Sequence, residues 1–200
     1  AEAHPELTTV EGIMANPKLV GGRFNNCPDG WGCRIVNDNL INALGMRGSV
    51  DIFDHGSGET LATSIAAAYE NKEPWFGYYW GPTAVLGKYK MTKVAIGDID
   101  MAAHKENQEK DSAKPAVSDF PPAPVLTVAT AALAKREPEV ADLMSNISFE
   151  VDLLSSLLAW KEKNSASAEE AAVYFLTTQS DVWSKWVSDD ARAKLSAVIK

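Results

Sequence analysis

A tryptophan flanked by two glycines lies inside a short segment that begins and ends with cysteine, Cys27-Pro28-Asp29-Gly30-Trp31-Gly32-Cys33, which we call the cysteine loop. Two cysteines this close together among turn-forming residues can form a disulfide, and the small ring would hold the Trp31 indole out of the core. Gly30 and Gly32 keep side chains away from that indole. The loop therefore offers an aromatic face and backbone N–H groups to a ligand, although packing of Trp31 into the core over a stapled turn fits this segment alone equally well.

A helix is predicted directly after the cysteine loop. Apolar residues recur at helical spacing after Cys33, and Gly45 supplies a stop. The first N–H groups of a helix have no partner within the helix and lie at the positive end of its dipole. The amides of Gly32 and Cys33 would therefore favour a carboxylate, while Trp31 offers a π face to a cation. Side by side, these groups suit a zwitterionic ligand.

A second aromatic stretch, Pro74-Trp75-Phe76-Gly77-Tyr78-Tyr79-Trp80-Gly81-Pro82, is predicted to form a strand over residues 75–80. Prolines bound it on both sides, and aromatic residues cluster at its C-terminal end. Side chains at the C-terminal end of a strand in an α/β sheet are well placed to line a crevice. This aromatic stretch favours a binding role for Trp31 over packing in the core.

The order of the predicted elements is that of an α/β protein, in which helices flank a sheet. The second half of the chain is almost entirely helical, and the polar stretch 97–115 is predicted to be an exposed loop. Trp160, Trp183 and Trp186 lie on apolar helix stripes and are predicted to be core residues. Strands are predicted at 22–24, 49–53, 75–80, 93–96 and 125–129. Helices are predicted at 10–16, from the cysteine loop to residue 44, and at 61–71, 137–144, 148–163, 167–178 and from 180 onward.

Prolines divide the chain near residue 120. Those between 115 and 124 mark an extended segment of the kind that connects two lobes. We therefore predict one structured part over residues 1–120 and another over residues 121–200. The second part has only the predicted strand 125–129 and too little sheet for its helices to cover, so the strands that pair with it are expected to lie outside this chain.

The composition excludes several classes of function. A formal net charge of −8 and a pI near 4.9 leave no basic surface for nucleic acid or for an anionic membrane, and no apolar run approaches the ~20 residues of a membrane-spanning helix. The lone cysteine pair favours an oxidising compartment. His4, His55 and His104 share no metal-ligand spacing, and no nucleophile, base and acid are arranged for catalysis. We predict no metal, no cofactor and no enzymatic activity.

The chain resembles the periplasmic substrate-binding proteins of ABC importers for glycine betaine and proline betaine. The resemblance is carried by two motifs in this order: Cys27-x-x-Gly30-Trp31-Gly32-Cys33 before a helix, and Tyr78-Tyr79-Trp80-Gly81-Pro82 further on. The resemblance implies a two-lobed α/β fold of the type II periplasmic-binding-protein class, with the ligand held between the lobes in a cage of aromatic rings. Residues 1–120 would be one nearly complete lobe, the family's second, and residues 121–200 the helical C-terminal part of its first lobe. The N-terminal part of that first lobe is expected to be missing from this chain.

The resemblance also implies a set of ligand-binding residues: Trp31, Gly32, Cys33, Tyr79 and Trp80. Trp31 and Trp80 would be two walls of the cage, and the amides of Gly32 and Cys33 would receive the carboxylate of the ligand. Tyr79 would contribute to the same site, with Tyr78 pointing to the opposite face of the strand.

The expected function is capture of a quaternary or methylated amine, such as glycine betaine, in the periplasm and its delivery to the membrane permease of an ABC transporter. Trimethylamine N-oxide, choline and carnitine are alternative ligands for the same scaffold. A carbohydrate-binding module that uses Trp31 and Trp80 as stacking platforms is the alternative from a different class. The unpaired strand 125–129 makes a dimer of this chain a further expectation, since open sheet edges associate.

Overall fold

The computed structural model describes residues 3–199, which fold into two compact units. The first unit takes in the chain up to Trp80 and then Tyr89–Pro122, and the second takes in Gly81–Lys88 and the chain from Ala123 onward. The predicted division into residues 1–120 and 121–200 differs from these units mainly in residues 81–88. In chain order the helices and strands are α1 (Val10–Ala15), β1 (Arg23–Asn26), α2 (Gly32–Ala43), β2 (Asp51–Asp54), α3 (Gly58–Asn71), α4 (Ala84–Lys88), α5 (Met101–Glu106), α6 (Ala131–Arg136), α7 (Pro138–Asn146), α8 (Val151–Lys163), α9 (Ala168–Thr178), α10 (Ser180–Trp183) and α11 (Asp189–Val198).

The first unit is built on two short parallel strands joined by a helix. β1 and β2 pair in register from Arg23 opposite Asp51 to Asn26 opposite Asp54. Parallel strands need a crossover connection, and α2 supplies it here. The strands predicted at 22–24 and 49–53 and the helices predicted around them are confirmed. The carboxyl ends of both strands therefore lie next to the chain segments that begin α2 and α3.

The aromatic stretch lies beside β1 but is not a regular strand, so the prediction of a strand over residues 75–80 is wrong. Its backbone pairs with a single residue of β1, Asn25. The carbonyl of Phe76 accepts from the Asn25 N–H at 2.9 Å, and the carbonyl of Asn25 accepts from the Tyr78 N–H at 2.9 Å. The Asn25 side-chain amide also donates to the Phe76 carbonyl. The prolines that bound the stretch each remove a ladder donor, which keeps this pairing short.

Two predictions for the following segment are also corrected. The run at 93–96 makes one parallel bridge instead of a strand. The polar stretch 97–115 is not loop throughout, because Asp100 starts helix α5 and its carboxylate accepts two backbone N–H groups of the first turn. A capping aspartate satisfies amides that would otherwise lack partners, and it can begin a helix whose apolar pattern is too short to be recognised.

The hydrophobic core of the first unit draws on nearly every element before residue 80. Phe76 of the aromatic stretch is buried there, with its ring edge-on to Phe24 of β1 at 5.1 Å between centroids. This contact anchors the aromatic stretch to the sheet. The core residues are Ile13, Val20, Phe24, Ile41, Met46, Val50 and Phe76.

The helices predicted for the second half of the chain are confirmed as α7, α8 and α9. The predicted capping box at the start of α9 is present, with Ser167 and Glu170 each accepting the other's backbone N–H. The helix predicted from residue 180 onward is two helices, α10 and α11. Ser188 begins the second of them by accepting the N–H of Ala191.

Residues 81–88 belong to the second unit because α4 lies directly on α8. A Cβ atom on Gly87 would lie 2.2 Å from the carbonyl oxygen of Ser155, so only glycine permits this approach. The backbone N–H of Thr83 donates to the Ser155 hydroxyl at 3.2 Å, and Lys88 pairs with Glu162. These contacts hold the segment that follows Trp80 against the helices of the second unit.

Two of the three tryptophans predicted as core residues are only half-buried. Trp183 is buried, as predicted. Trp160 stacks on Tyr174 with 3.9 Å between ring centroids, and Trp186 stacks on Phe175 at 5.5 Å. All three therefore pack within the helical second unit.

The predicted strand 125–129 is wrong. Its apolar side chains are exposed, with Val125 at 90%, and no hydrogen-bonded strand accompanies it among the described residues. The expectation of a dimer rested on an unpaired strand edge at this position. The fold of residues 3–199 gives no support to that dimer.

Among residues 3–199, no helix combines the length and apolar character needed to cross a bilayer. The 14 residues of α3 fall well short of the ~20 that a hydrocarbon core requires. The same part of the chain contains no group of three or more His, Cys, Asp and Glu side chains that could hold a metal ion.

Candidate functional site

The cysteine loop is closed and holds Trp31 at the surface. Cys27 and Cys33 form the predicted disulfide, with their Cα atoms 6.1 Å apart. Cys27 is fully buried at the end of β1, whereas 40% of Trp31 is exposed. The alternative in which Trp31 packs into the core is therefore wrong.

The buried side chain of Asn26 holds the start of the cysteine loop through hydrogen bonds. Asn26, the last residue of β1, accepts through its side-chain oxygen from the Cys27 N–H at 2.8 Å and from the Asn37 amide at 2.9 Å. Its own amide donates to Asp38 at 3.2 Å and to Asp54 at 3.3 Å. Because a buried polar group is costly unless it is hydrogen-bonded, this network fixes where β1 ends and the loop begins.

Arg34 ties three parts of the site together. Its guanidinium pairs at 2.8 Å with Asp29 of the cysteine loop, with Asp38 one turn further along α2, and with Asp54 at the end of β2. The Arg34 side chain is only 17% exposed. The sequence analysis did not identify this residue, although the four-residue spacing of Arg34 and Asp38 on a predicted helix is a signal for such a pair.

Trp31 and Trp80, which are distant in sequence, lie in contact. Their ring centroids are 5.2 Å apart and their planes meet at 66°. The Tyr79 ring lies 4.5 Å from that of Trp80. Tyr78 was predicted to point to the opposite face, but its ring lies nearly parallel to Trp80 at 6.3 Å. The predicted placement of Tyr78 is wrong because side chains two residues apart in an extended segment, such as Tyr78 and Trp80, point to the same face.

Burial raises the pKa of the Tyr78 phenol. Its ring also contacts Phe120 at 5.7 Å between centroids. Tyr78 is therefore a neutral, half-buried residue that packs against Trp80. The aromatic cluster extends from the exposed ring of Trp31 to the more buried rings of Tyr78 and Phe120.

Two helices begin beside this cluster, and their starts differ. At the start of α3, Ser57 and Thr60 form a capping box in which each side chain accepts the other's backbone N–H, at 3.2 and 3.1 Å. Helix α2 begins at Gly32, as predicted, and no side chain among the described residues caps it. The first-turn N–H groups of Gly32 and Cys33 therefore follow directly after Trp31 without a side-chain acceptor.

Gly58, the first residue of α3, approaches the two indoles and was not singled out by the sequence. A Cβ atom there would lie 2.9 Å from Cη2 of Trp31 and 3.6 Å from Cη2 of Trp80. No local pattern indicates this approach, since Gly58 is far from both tryptophans along the chain.

His55 is buried directly after β2, where it supports the aromatic stretch. Its Nε2 lies 3.0 Å from the side-chain oxygen of Asn25, the residue that pairs with the aromatic stretch. Burial lowers the pKa of His55 and the charge of Arg23 lowers it further, whereas Asp54 acts in the opposite direction. A neutral His55 that donates to the Asn25 side chain is consistent with a structural role for this residue.

We expect acid to destabilise the protein through His55. Its pKa in the folded protein lies below the ~6.5 of an unfolded histidine, so the unfolded chain binds this proton more readily. The stability contributed by neutral His55 is fully present above the pKa of the unfolded histidine. It is lost as the pH falls from there through the lower pKa of the folded protein. The melting temperature of His55→Gln should therefore fall less than that of the native chain between about pH 7.5 and 5. Equal slopes for His55→Gln and the native chain would contradict this role.

Comparison with known proteins places the chain in a transport family. Residues 1–178 match the family described as the substrate-binding domain of ABC-type glycine betaine transport systems. This is not a family of enzymes, and it gives no support to the carbohydrate-binding alternative. The sequence has no match among the curated proteins.

Two solved structures share the fold. One is the glycine betaine and L-proline binding protein of an ABC transporter from Borrelia burgdorferi, with a TM-score of 0.58, 13% identity, and coverage of 96% of this chain and 66% of that protein. The other is an ABC-transporter choline-binding protein in complex with choline, with a TM-score of 0.56, 15% identity, and coverage of 97% of this chain and 64% of that protein. The chain thus has the α/β periplasmic-binding-protein fold over about two thirds of their length. Because the family match takes in residues 1–178, this protein belongs to the family of substrate-binding domains of ABC-type glycine betaine transport systems.

Proposed function

We propose that this protein captures a quaternary or methylated amine, with glycine betaine as the leading candidate, in a cage whose walls include Trp31 and Trp80. One observation carries the proposal. Two indoles meet at 66°, with 5.2 Å between their centroids, and one of them, Trp31, immediately precedes a helix start that no described side chain caps. Tyr79, whose ring lies 4.5 Å from that of Trp80, extends the same aromatic surface.

The indole pair supplies what a trimethylammonium group requires. Such a group has no N–H to donate, so it is recognised by shape and by π faces instead of hydrogen bonds. A cation over a desolvated indole face gains up to ~2 kcal/mol. Rings that meet at a steep angle form a corner, and a rounded cation in the corner between Trp31 and Trp80 contacts both of them.

The start of α2 supplies a place for the carboxylate. The amides of Gly32 and Cys33 lie at the positive end of a 12-residue helix and directly follow Trp31, so the two charged ends of a short zwitterion find complementary groups close together. Asp29 of the same loop is paired with Arg34 at 2.8 Å. This pairing offsets the repulsion that a free Asp29 would exert on an anionic group.

Membership of this family supports a role in transport. We propose that the protein works in the periplasm and delivers its ligand to the membrane permease of an ABC transporter. The Cys27–Cys33 disulfide supports an oxidising compartment of this kind. Capture, and not chemical conversion, is the expected activity.

Choline is the second candidate ligand. One of the similar solved structures is a choline-binding protein in complex with choline, and choline carries the same trimethylammonium head. It lacks a carboxylate and would leave the amides of Gly32 and Cys33 without a charged partner. Carnitine and trimethylamine N-oxide also carry a trimethylated nitrogen.

Isothermal titration calorimetry with a ligand panel tests the proposed function. The panel contains glycine betaine, choline, carnitine and trimethylamine N-oxide, with glycine and maltose as controls that lack methylated nitrogen. We expect saturable binding of glycine betaine, weaker binding of choline, and none of glycine or maltose. Equal responses to glycine betaine and glycine, or binding of maltose alone, would overturn the proposal.

A further inference from the structure

We propose that Gly58 positions the Trp31 ring, so that the backbone at the start of α3 sets the corner between Trp31 and Trp80. The inference rests on the proposed function in one respect, because it takes that corner to be the cage of the ligand. It assigns a positioning role to a residue that would not itself have to contact the ligand.

The geometry places Gly58 where the two indoles meet. A Cβ atom on this residue would lie 2.9 Å from Cη2 and 3.3 Å from Cζ2 of Trp31, and 3.6 Å from Cη2 of Trp80. The outer edges of both indoles thus lie near the position that a Cβ atom of residue 58 would occupy. A contact of 2.9 Å is shorter than a carbon–carbon van der Waals distance, so a side chain at this position requires a shift.

The shift would fall on the Trp31 ring and not on the helix. The start of α3 is held by the capping box of Ser57 and Thr60, and Leu61 one turn along is fully buried. Trp31 is 40% exposed, and the atoms in question are at the far end of its side chain. A methyl group on residue 58 would therefore displace the Trp31 ring from its present contact with Trp80 and leave the helix in place.

Alanine is otherwise compatible with this position. The backbone of Gly58 is not left-handed, and alanine is a better helix former than glycine. In Gly58→Ala we therefore expect the stability of the fold to be retained while the arrangement of the Trp31 and Trp80 rings changes. A residue needed only for packing would change both.

Gly56 offers a matched control. It lies two residues earlier in the same connection, its backbone is not left-handed, and a Cβ atom there would have no atom within 4 Å. Gly56→Ala therefore introduces the same methyl group without touching either indole.

The test combines a ligand-free readout with a binding readout. Circular dichroism measures the exciton coupling between the indoles of Trp31 and Trp80. The part of the spectrum that disappears in Trp31→Phe is assigned to this coupling. Affinity for glycine betaine is measured by calorimetry, and thermal unfolding is followed in parallel. In Gly58→Ala we expect a reduced exciton signal, an affinity about tenfold weaker and a native or higher melting temperature; in Gly56→Ala we expect all three to be native.

The outcomes distinguish the two proposals. An unchanged exciton signal in Gly58→Ala would overturn the positioning role, whatever the native chain binds. A reduced signal in a chain that binds no methylated amine would uphold the positioning of Trp31 and overturn the proposed function. A reduced signal with native affinity would show that this corner does not set ligand binding and would overturn the inference.

Discussion

Replacing Trp80 with alanine is expected to weaken the binding of glycine betaine by about 30-fold or more. Trp80 contacts the rings of Trp31, Tyr78 and Tyr79, so its removal deletes one wall of the proposed cage and the support of another. Loss of one desolvated cation–π contact of ~2 kcal/mol corresponds to this factor. Calorimetric titration of the native chain and Trp80→Ala measures it.

Two variants control for damage to the fold. Trp80→Phe keeps an aromatic face and should bind with intermediate affinity. Trp75 lies in the same aromatic stretch, but its indole N–H donates to Ser64 of α3 at 3.0 Å, and Trp75→Phe should bind as the native chain does. Native affinity in Trp80→Ala would exclude Trp80 from the site.

Replacing Arg34 with leucine is expected to lower the free energy of unfolding by about 2 kcal/mol. Exposed ion pairs contribute up to ~1 kcal/mol, whereas removing one partner of a buried pair costs ~3–5 kcal/mol. Arg34 lies between these cases: its side chain is 17% exposed, but Asp29 and Asp54 are considerably more open. Urea unfolding followed by circular dichroism gives the value.

Arg47→Leu is the matched control for this experiment. Arg47 is exposed and makes one long contact, 3.5 Å, with the Asn42 side chain. Its removal should change the unfolding midpoint little. If Arg34→Leu and Arg47→Leu unfold at the same urea concentration, the ion pairs of Arg34 with Asp29, Asp38 and Asp54 do not stabilise the fold.

The features that the sequence predicted correctly have local causes. The closely spaced cysteines and the turn residues between them led to the disulfide, and the apolar periodicity after Cys33 led to α2. The helices of the second half followed from periodicity and from the capping box at Ser167. In each case the residues that determine the structure are neighbours along the chain.

The features that were missed depend on partners far away in sequence. Arg34 reaches Asp54 across 20 residues, and Gly58 meets Trp31 only because β2 and α3 bring the chain back to the cysteine loop. The strand predicted at 75–80 had the right composition for a strand but pairs with β1 at a single bridge. Strand propensity describes how well residues fit a sheet, and pairing decides whether the sheet forms.

We propose that the corner of Trp31 and Trp80 recognises a positive charge, and an isosteric pair of ligands can distinguish recognition of charge from recognition of shape. Glycine betaine and 3,3-dimethylbutanoate have the same shape and the same carboxylate, but the second carries a neutral carbon in place of the quaternary nitrogen. Titration of the native chain with both, by calorimetry, separates charge from shape. We expect glycine betaine to bind at least about tenfold more tightly, because the neutral analogue loses a cation–π attraction of more than ~1 kcal/mol. Equal affinities, or preference for the neutral analogue, would contradict it.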